Sequence, residues 1–279
     1  MIKSYGKINL SLRVLKKMKN GFHDIQSNNV LINIYDDIFI TKRKNNRDLI
    51  VFKGNHKKFI SKLQNSVIKT MKILRIKKII DKNIFYKIII NKKIPVFGGL
   101  GGGTSNSAFI VKYFQTKKIS NSVIKNFEKE VGTDFRLFFY KQSFQKKLGI
   151  IDEYEKKYKL HIIIIYPNFK CSTKNIYSKV KSYSHVSKID FSRRRNLIKY
   201  IELLKKEKND LQKIVVSKFN KIKKIIDFIS AQKGCSFSRI TGSGSVCFGI
   251  FKSESSAKMG LKIIKKKFPN YWCAYTYTI

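Results

Sequence analysis

The stretch from Pro95 to Ala108 contains the residues of this sequence best suited to chemistry, Pro-Val-Phe-Gly-Gly-Leu-Gly-Gly-Gly-Thr-Ser-Asn-Ser-Ala. Five of the fifteen glycines of the chain lie within the six residues 98–103. Glycine loses more backbone freedom on ordering than any other residue, so this density favours a loop whose backbone approaches a ligand closely. Thr104, Ser105 and Asn106 favour a helix N-terminus, where free N–H groups and the helix dipole attract an anion. The stretch therefore predicts a phosphate-binding loop.

Two common phosphate-binding loops do not fit this stretch. A P-loop needs the pattern Gly-x4-Gly-Lys-Ser/Thr, and no lysine follows these glycines. The dinucleotide-binding fingerprint needs glycines at i, i+2 and i+5, but from Gly99 or Gly101 the third position falls on Thr104 or Asn106. A glycine-rich turn without a ligand stays open as an alternative, although an ordinary turn needs only about one or two glycines.

The order P-x3-G-L-G-G-G-S/T-S-N-x-A resembles the phosphate loop of the GHMP kinases, which include galactokinase, homoserine kinase and mevalonate kinase. Within this family, the chain is most similar to the erythritol kinase branch. That branch phosphorylates the 2-hydroxyl of cytidine diphosphate-linked methylerythritol in the non-mevalonate isoprenoid pathway. The resemblance implies ATP and Mg²⁺ as cofactors, although no carboxylate pair in the sequence marks a metal site.

Two charged residues far apart in the sequence extend the resemblance. Lys7, in Ser-Tyr-Gly-Lys-Ile-Asn-Leu, resembles the lysine of the family's P-A-K-x-N-L segment, and Asp134 resembles the aspartate of its L-G-A-D-V-P segment. The family implies that both are catalytic: the ammonium offsets charge on the γ-phosphate, and the carboxylate orients or accepts the proton of the attacking hydroxyl. Without the resemblance, Asp134 is better interpreted as the cap of the following turn. Arg136 replaces the family's proline and would bring another cation near the site.

A second set of matches implies a binding site for the cytidine end of the substrate. Residues 20–27 resemble the family's segment D-G-Y-H-x-L-Q-T/S. In the family, the aromatic residue of this segment stacks on the cytosine base and the histidine forms a hydrogen bond with it. The matching residues here are Phe22 and His23. Residues 167–177 resemble P-x4-S/P-T-x2-V/A-Y/F, which makes Tyr177 the second stacking residue. An ordinary turn histidine and an ordinary core tyrosine are the alternatives. The substrate-binding residues implied by the resemblance are Asn9, Phe22, His23, Thr173, Tyr177 and Gly242.

The implied ATP site combines the glycine-rich loop with two weaker matches before it. Its residues are Asn65, Lys92, Pro95, Gly98, Gly99, Gly101, Gly102, Gly103, Thr104 and Ser105. Residues 209–211 resemble the family's N-D-L/F signature, and residues 239–245 resemble its T-G-S/T-G loop, which closes over the site. One segment departs from the family: residues 145–152 have a single glycine where the family has A-x-G-x-G-E.

The composition bounds the possible partners and the location. Sixty basic and 17 acidic side chains give a net charge of +43, and only nine of the basic residues are arginine. The lysines are spread along the whole chain, which indicates the codon bias of an A/T-rich reduced-genome bacterium, such as an endosymbiont. Scarce arginine argues against base-reading nucleic-acid contacts. Four scattered cysteines predict a reducing cytoplasm, and no apolar run reaches the ~18–20 residues of a membrane span.

Apolar spacing places these motifs on strands and helices without strict alternation, which predicts an α+β fold in both halves. Predicted strands are 8–14, 22–34, 38–40, 49–52, 85–90, 160–166, 236–240, 245–251 and 271–278, with a turn at 36–37. Predicted helices are 61–76, 107–114, 123–130, 173–183, 193–207, 211–232 and 254–268. The resemblance implies the two-domain GHMP kinase fold, with the active site between the domains. The implied fold consists of an N-terminal domain similar to ribosomal protein S5 domain 2 (residues 1–153) and a C-terminal ferredoxin-like α+β domain (residues 154–279).

Three alternative functions remain open on the sequence alone. Another GHMP kinase with a small alcohol as substrate would have no use for Phe22, His23 and Tyr177. A catalytically decayed relative is suggested by the altered segment 145–152. A basic nucleic-acid-binding protein would show affinity that falls steeply with salt, and no turnover. The expected partner is a small molecule, with no specific nucleic acid and no membrane; the sequence predicts no oligomeric state.

Overall fold

A computed structural model of the chain describes residues 1–57, 60, 61, 63, 65–115, 119–191 and 194–279. Its strands are β1 (Ile2–Asn9), β2 (Arg13–Lys17), β3 (His23–Arg43), β4 (Leu49–Lys53), β5 (Phe85–Asn91), β6 (Gln142–Lys147), β7 (Ile150–Glu153), β8 (His161–Tyr166), β9 (Cys235–Ile240), β10 (Cys247–Phe251) and β11 (Trp272–Tyr277). Its helices are α1 (Ser66–Ile76), α2 (Gly102–Phe114), α3 (Asn121–Glu130), a 3₁₀ helix (Phe135–Phe139), α4 (Thr173–Tyr177), α5 (Leu197–Lys205), α6 (Leu211–Lys218), α7 (Asn220–Ser230) and α8 (Glu254–Lys267).

The chain forms two compact units, each drawn from distant parts of the sequence. The first comprises residues 1–7, 34–96 and 101–140, and the second comprises residues 8–33, 97–100 and 141–279. The predicted domain boundary after residue 153 stays a prediction. No helix in the part of the chain that the structure describes is long and apolar enough to cross a membrane.

In the first unit, β5 lies between β3 and β4. It pairs antiparallel with the second half of β3 and parallel with β4. Helix α2 contacts α1 and the 3₁₀ helix. The side chains of Ile38, Leu74, Ile88, Ile90 and Ile110 are fully buried in this unit. The sheet and helices thus hold the end of β5 and the start of α2, which flank the glycine-rich loop.

The second unit contains a four-stranded antiparallel sheet in the order β11-β8-β10-β9. Helices α4–α7 follow β8 in the chain, and α8 connects β10 to β11. Helix α7 contacts β9 and β10, while α8 contacts β8 and β11. This connection of strands and helices is the ferredoxin-like β-α-β-β-α-β arrangement, as the resemblance implied. The first half of β3 also belongs to this unit and pairs with β2 and β6.

The predicted turn at residues 36–37 is wrong, because β3 continues without a break from His23 to Arg43. The Asp36 side chain is fully buried within the first unit and accepts hydrogen bonds from the backbone N–H groups of Lys93 and Ile94. A buried carboxylate whose hydrogen bonds are satisfied by such partners is compatible with a strand.

Several predicted element bounds also need correction. The predicted strand 8–14 is divided, because β1 ends at Asn9 and β2 begins at Arg13. The predicted helix 211–232 consists of α6 and α7, separated at Phe219, whose backbone is not helical. Helix α4 ends six residues before the predicted end, and α2 begins five residues before the predicted start. Residues 62, 64 and 193 of the predicted helices lie outside the described residues.

Candidate active site

Lys7 and Asp134 meet in the first unit, although the sequence separates them widely. The Nζ atom of Lys7 lies 3.0 Å from Oδ2 of Asp134, and the two side chains are 5% and 34% exposed. Asp134 immediately precedes the 3₁₀ helix Phe135–Phe139. In this described part of the chain, its side chain makes no hydrogen bond that caps the helix. The capping interpretation of Asp134 is therefore wrong. A carboxylate paired with an ammonium, and still open to water, can take part in proton transfer.

The N-terminus of α2 lies beside Lys7. Gly101 occupies the N-cap position with a left-handed backbone, φ +70°. The N–H of Ser105 donates to the carbonyl oxygen of Gly101 at 2.8 Å, so the N–H groups of residues 102–104 precede the helical hydrogen-bond ladder. A Cβ atom added at Gly101 would lie 3.4 Å from Cε of Lys7. The ammonium and the positive end of the helix dipole thus combine to favour an anion at this place.

We predict that Gly101→Ala lowers both stability and turnover. The added Cβ would lie 2.7 Å from Cζ of Phe138 as well as against Lys7, and φ +70° strains any residue with a Cβ. A left-handed backbone alone costs roughly 1–2 kcal/mol, and the steric overlap adds about 1–3 kcal/mol. Thermal unfolding and kcat measure the two effects.

Gly149→Ala is the matched control for Gly101→Ala. Gly149 also has a left-handed backbone, φ +79°, but its Cβ would meet nothing within 4 Å. This variant should therefore show the cost of backbone strain without displacement of Lys7. Equal loss of kcat in both variants would contradict the proposed steric effect on Lys7.

The first two glycines of the loop, in the second unit, have a packing role. The N–H of Val246 donates to the carbonyl oxygen of Gly98 at 3.2 Å. A Cβ at Gly98 would lie 2.7 Å from Cγ2 of Val246, and a Cβ at Gly99 would lie 2.9 Å from the carbonyl oxygen of Thr241. The high glycine density therefore has two causes: close backbone packing at residues 98–99, and the start of a helix at residues 101–103.

Three predicted nucleotide-binding side chains make hydrogen bonds inside the first unit. Asn65 caps α1, because its Oδ1 accepts from the N–H groups of Val67 and Ile68, both at 3.0 Å. The hydroxyl of Ser105 donates to the carbonyl oxygen of Tyr5 at 2.6 Å. Lys92 is 3% exposed and donates to Asp36 and Asn106. These contacts position α1, β1 and α2.

Direct contact of these three side chains with ATP stays a prediction, as does the role of the buried Pro95. Burial lowers the pKa of Lys92, while the neighbouring Asp36 carboxylate opposes that shift. Asp36 and its contact with Asn106 were missed from the sequence. Two adjacent acids after a strand-like run indicate a turn, and nothing nearby identifies Lys92 among the lysines as the partner of Asp36.

The predicted base-binding residues His23 and Tyr177 lie together in the second unit. Their ring centroids are 4.9 Å apart, and the angle between the ring planes is 36°. The ring centroid of Tyr183 lies 6.5 Å from that of His23. Burial, and next the charge of Lys17, lower the pKa of His23, which favours the neutral imidazole at neutral pH. Phe22 is 45% exposed in the β2–β3 turn. Stacking of a base between Phe22 and Tyr177 stays a prediction.

The other predicted substrate residues meet at the turn 241–243 of the same unit. The backbone N–H of Asn9 donates to Oγ1 of Thr241 at 2.9 Å. The carbonyl oxygen of Gly242 accepts from Nδ2 of Asn209 at 2.9 Å, and the hydroxyls of Thr173 and Ser243 lie 3.0 Å apart. The side-chain amide of Asn9 is fixed by Ser27 and Asn29, at 3.0 Å and 2.7 Å. The structure thus brings Asn9, Thr173 and Gly242 to one turn.

Two departures from the family pattern have clear local roles. Arg136 Nε lies 2.9 Å from Oε1 of Glu128, which compensates its charge, and its Nη1 donates to Oδ1 of Asn121, so both contacts tie Arg136 to α3. Residues 145–152 lie in the β6–β7 hairpin, where the N–H of Leu148 donates to Oδ1 of Asp24 at 2.8 Å. Both segments thus make defined contacts within their own unit.

Comparisons with known proteins agree with this geometry. Residues 191–270 match the family described as GHMP kinases C terminal. The chain is 37% identical over 283 residues to the 4-diphosphocytidyl-2-C-methyl-D-erythritol kinase of Pelagibacter ubique (strain HTCC1062), covering 100% of this chain and 98% of that protein. It is 30% identical over 288 residues to the kinase of the same name from Wolbachia sp. subsp. Drosophila simulans (strain wRi), with the same coverage.

Solved structures show the same fold. A crystal structure of 4-(cytidine 5'-diphospho)-2C-methyl-D-erythritol kinase matches 99% of this chain and 98% of its own, with a TM-score of 0.74 at 16% identity. A crystal structure of mevalonate kinase matches with the same coverage, a TM-score of 0.69 and 14% identity. The predicted GHMP kinase fold is confirmed. Together with the full-length relatives, these matches show that the chain belongs to the 4-diphosphocytidyl-2-C-methyl-D-erythritol kinase family.

Proposed function

We propose that this chain transfers the γ-phosphoryl group of ATP to the 2-hydroxyl of 4-diphosphocytidyl-2-C-methyl-D-erythritol, in the non-mevalonate route to isoprenoid precursors. Full-length similarity to relatives of that name supports the proposal. The observation that carries the chemistry is the contact of Lys7 with Asp134, 3.0 Å apart beside the N-terminus of α2. All four cysteines are free thiols, and a reducing cytoplasmic location is part of the proposal.

The reaction needs positioning and charge compensation more than covalent chemistry. The hydroxyl oxygen of the acceptor bonds to the γ-phosphorus, the bond from that phosphorus to the bridging oxygen breaks, and ADP leaves. Asp134 orients the hydroxyl and accepts its proton, which passes to water because the carboxylate is partly exposed. Lys7, 3.0 Å from that carboxylate, holds it in place and offsets negative charge on the transferred group.

Mg²⁺ is the metal expected with ATP. Among the residues that the structure describes, no group of three or more His, Cys, Asp or Glu side chains is placed to hold a metal ion. Mg²⁺ often binds through one or two carboxylates and the phosphates of the substrate. In this proposal it would arrive with ATP and would neutralise phosphate charge.

The proposal is tested by incubating the purified protein with ATP, Mg²⁺ and one acceptor at a time. We expect phosphorylated product from 4-diphosphocytidyl-2-C-methyl-D-erythritol and none from mevalonate or homoserine. Product from mevalonate or homoserine alone would favour a different GHMP kinase. ATP binding without product from any acceptor would indicate a decayed relative and overturn the proposal.

We predict that Tyr177→Ala raises the KM for the cytidyl substrate about 5- to 150-fold. Stacking of an aromatic ring on a base contributes ~1–3 kcal/mol, and the alanine variant loses that contact. Tyr177→Phe keeps the ring and should stay near the wild type. The KM for ATP and kcat should change little in either variant, as measured by initial rates over both substrates.

Tyr113→Ala is the control for general loss of an aromatic side chain, since Tyr113 is exposed in the first unit. Tyr177 also packs against the hydrophobic core of the second unit, so thermal unfolding is measured on all three variants. A KM for the cytidyl substrate that stays at the wild-type value in folded Tyr177→Ala would exclude base stacking by this residue.

A further inference from the structure

Asp36 makes an unusual set of contacts for a residue in the middle of a strand. Its side chain is fully buried and accepts from four donors. Oδ1 accepts from the N–H groups of Lys93 at 2.7 Å and Ile94 at 2.9 Å. Oδ2 accepts from the ammonium of Lys92 and from Nδ2 of Asn106, the latter at 3.0 Å. The catalytic proposal has no role for this carboxylate.

The four donors lie on both sides of the glycine-rich loop. Residues 92–94 immediately precede Pro95, and Asn106 lies in the early part of α2. One carboxylate therefore fixes the two ends of the segment 95–105. Holding both ends of a loop removes conformational freedom that the loop would otherwise lose when a ligand binds.

The same cluster continues to the strand that carries Lys7. Nδ2 of Asn106 also donates to Oγ of Ser4 at 3.0 Å, and the hydroxyls of Ser4 and Ser105 lie 2.7 Å apart. Ser4 is three residues from Lys7 on β1. Hydrogen bonds through Asn106 and Ser4 thus connect Asp36 to the start of α2 and to β1, the strand that carries the predicted catalytic lysine.

The charge of Asp36 is necessary for this arrangement. Lys92 is 3% exposed, and an ammonium at that depth is tolerated only beside an opposite charge. The neighbouring acid Asp37 differs, because it pairs at 2.7 Å with Lys93, whose side chain is about half exposed. Two adjacent carboxylates on β3 therefore make a buried contact and a surface contact at the same end of β5.

We propose that Asp36 is a positioning residue for phosphoryl transfer, which fixes both ends of the glycine-rich loop and β1 before ATP binds. The proposal rests on the proposed kinase function, but concerns the binding of ATP and not the choice of acceptor. Loss of Asp36 should therefore weaken ATP binding and leave binding of the cytidyl substrate unchanged.

The first test variant is Asp36→Asn, which leaves Lys92 without a compensating charge. Loss of one partner of a buried pair should lower the melting temperature by roughly 6–20 °C. The second variant is Asp36→Asn with Lys92→Met, which removes both charges and nearly keeps the volume of both side chains. Its melting temperature should lie closer to the wild type, since no buried charge is left without a partner and an amide oxygen can still accept from the N–H groups of Lys93 and Ile94.

The deciding measurement is the Kd for ATP and for the cytidyl substrate, obtained by calorimetry on the wild type, on Lys92→Met and on the double variant, because Lys92 is itself a predicted ATP-binding residue. We expect a Kd for ATP about tenfold higher in the double variant than in Lys92→Met, with an unchanged Kd for the cytidyl substrate. An equal Kd for ATP in Lys92→Met and in the double variant would show that Asp36 only stabilises the fold, and would overturn the proposal.

Asp37→Asn is the control, and its Kd for ATP should equal that of the wild type. An equal loss of ATP affinity in Asp37→Asn and in the double variant would also contradict a specific role of Asp36. ATP binding needs no acceptor, so this test gives a result even if the cytidyl substrate is not phosphorylated. Failure of the kinase proposal is thereby distinguished from failure of the Asp36 proposal.

Discussion

Asp134→Asn is expected to lower kcat by about 10²- to 10⁴-fold, with the fold and both KM values close to the wild type. Asparagine has the shape of aspartate, but its amide cannot accept the proton of the attacking hydroxyl. The amide oxygen can still accept a hydrogen bond from the buried ammonium of Lys7, and the side chain at position 134 is 34% exposed to water, so we expect the fold to persist. Initial rates with saturating ATP and cytidyl substrate measure kcat, and circular dichroism melting measures the fold.

Glu130→Gln is the control for the loss of a carboxylate in the same unit. Glu130 forms an exposed ion pair with Lys69 at 4.0 Å, and such pairs contribute only about 0–1 kcal/mol. Its kcat should therefore equal that of the wild type. Turnover of Asp134→Asn within a few-fold of the wild type would exclude Asp134 as the proton acceptor.

The contact between Lys7 and Asp134 was predictable because each residue lies in a short motif of the family. Neither composition nor periodicity identifies Lys7, one of many lysines, and local pattern alone favours a cap for Asp134. The structure adds what the motifs do not contain: Asp134 lies at the start of the 3₁₀ helix, and the stem of Lys7 packs at Gly101. The motif predicts which residues meet, and tertiary packing explains how they do so.

Asp36 shows why part of the site was not predictable. Adjacent acids in a sequence favour a turn because an unpaired carboxylate is costly to bury. The ammonium that compensates Asp36 belongs to Lys92, 56 residues away. No local window contains both residues, so the strand and its buried ion pair could be seen only in the folded chain.

Helix bounds were harder to predict than the presence of helices. Periodic apolar residues continue from α6 into α7, but Phe219 between them has φ −136° and ψ 81°. At α2, the glycines have poor helix propensity and suggested a later start, yet Gly102 and Gly103 form the first turn. A Cβ at Gly102 would lie 3.1 Å from Cγ2 of Ile94, which follows β5 in the chain. Close packing against Ile94 therefore favours glycine at position 102.

Lys7→Met is expected to lower kcat by about 10²- to 10³-fold, because the ammonium that offsets charge in the transition state is lost. Methionine keeps the apolar stem that packs at Gly101 and places no charge in this buried position. The melting temperature should therefore stay close to that of the wild type. Lys69→Met is the control, since that lysine is half exposed and pairs with Glu130.

The double variant Lys7→Met with Asp134→Asn decides whether the two residues act as a unit. Groups that act together in one step are strongly non-additive, so the loss of kcat should be no greater than that of the more damaging single variant. Independent roles would instead multiply the two losses. A multiplied loss would mean that the 3.0 Å contact is structural and that Lys7 does not keep Asp134 ready for proton transfer. The double variant therefore tests the contact itself, which the single variants cannot do.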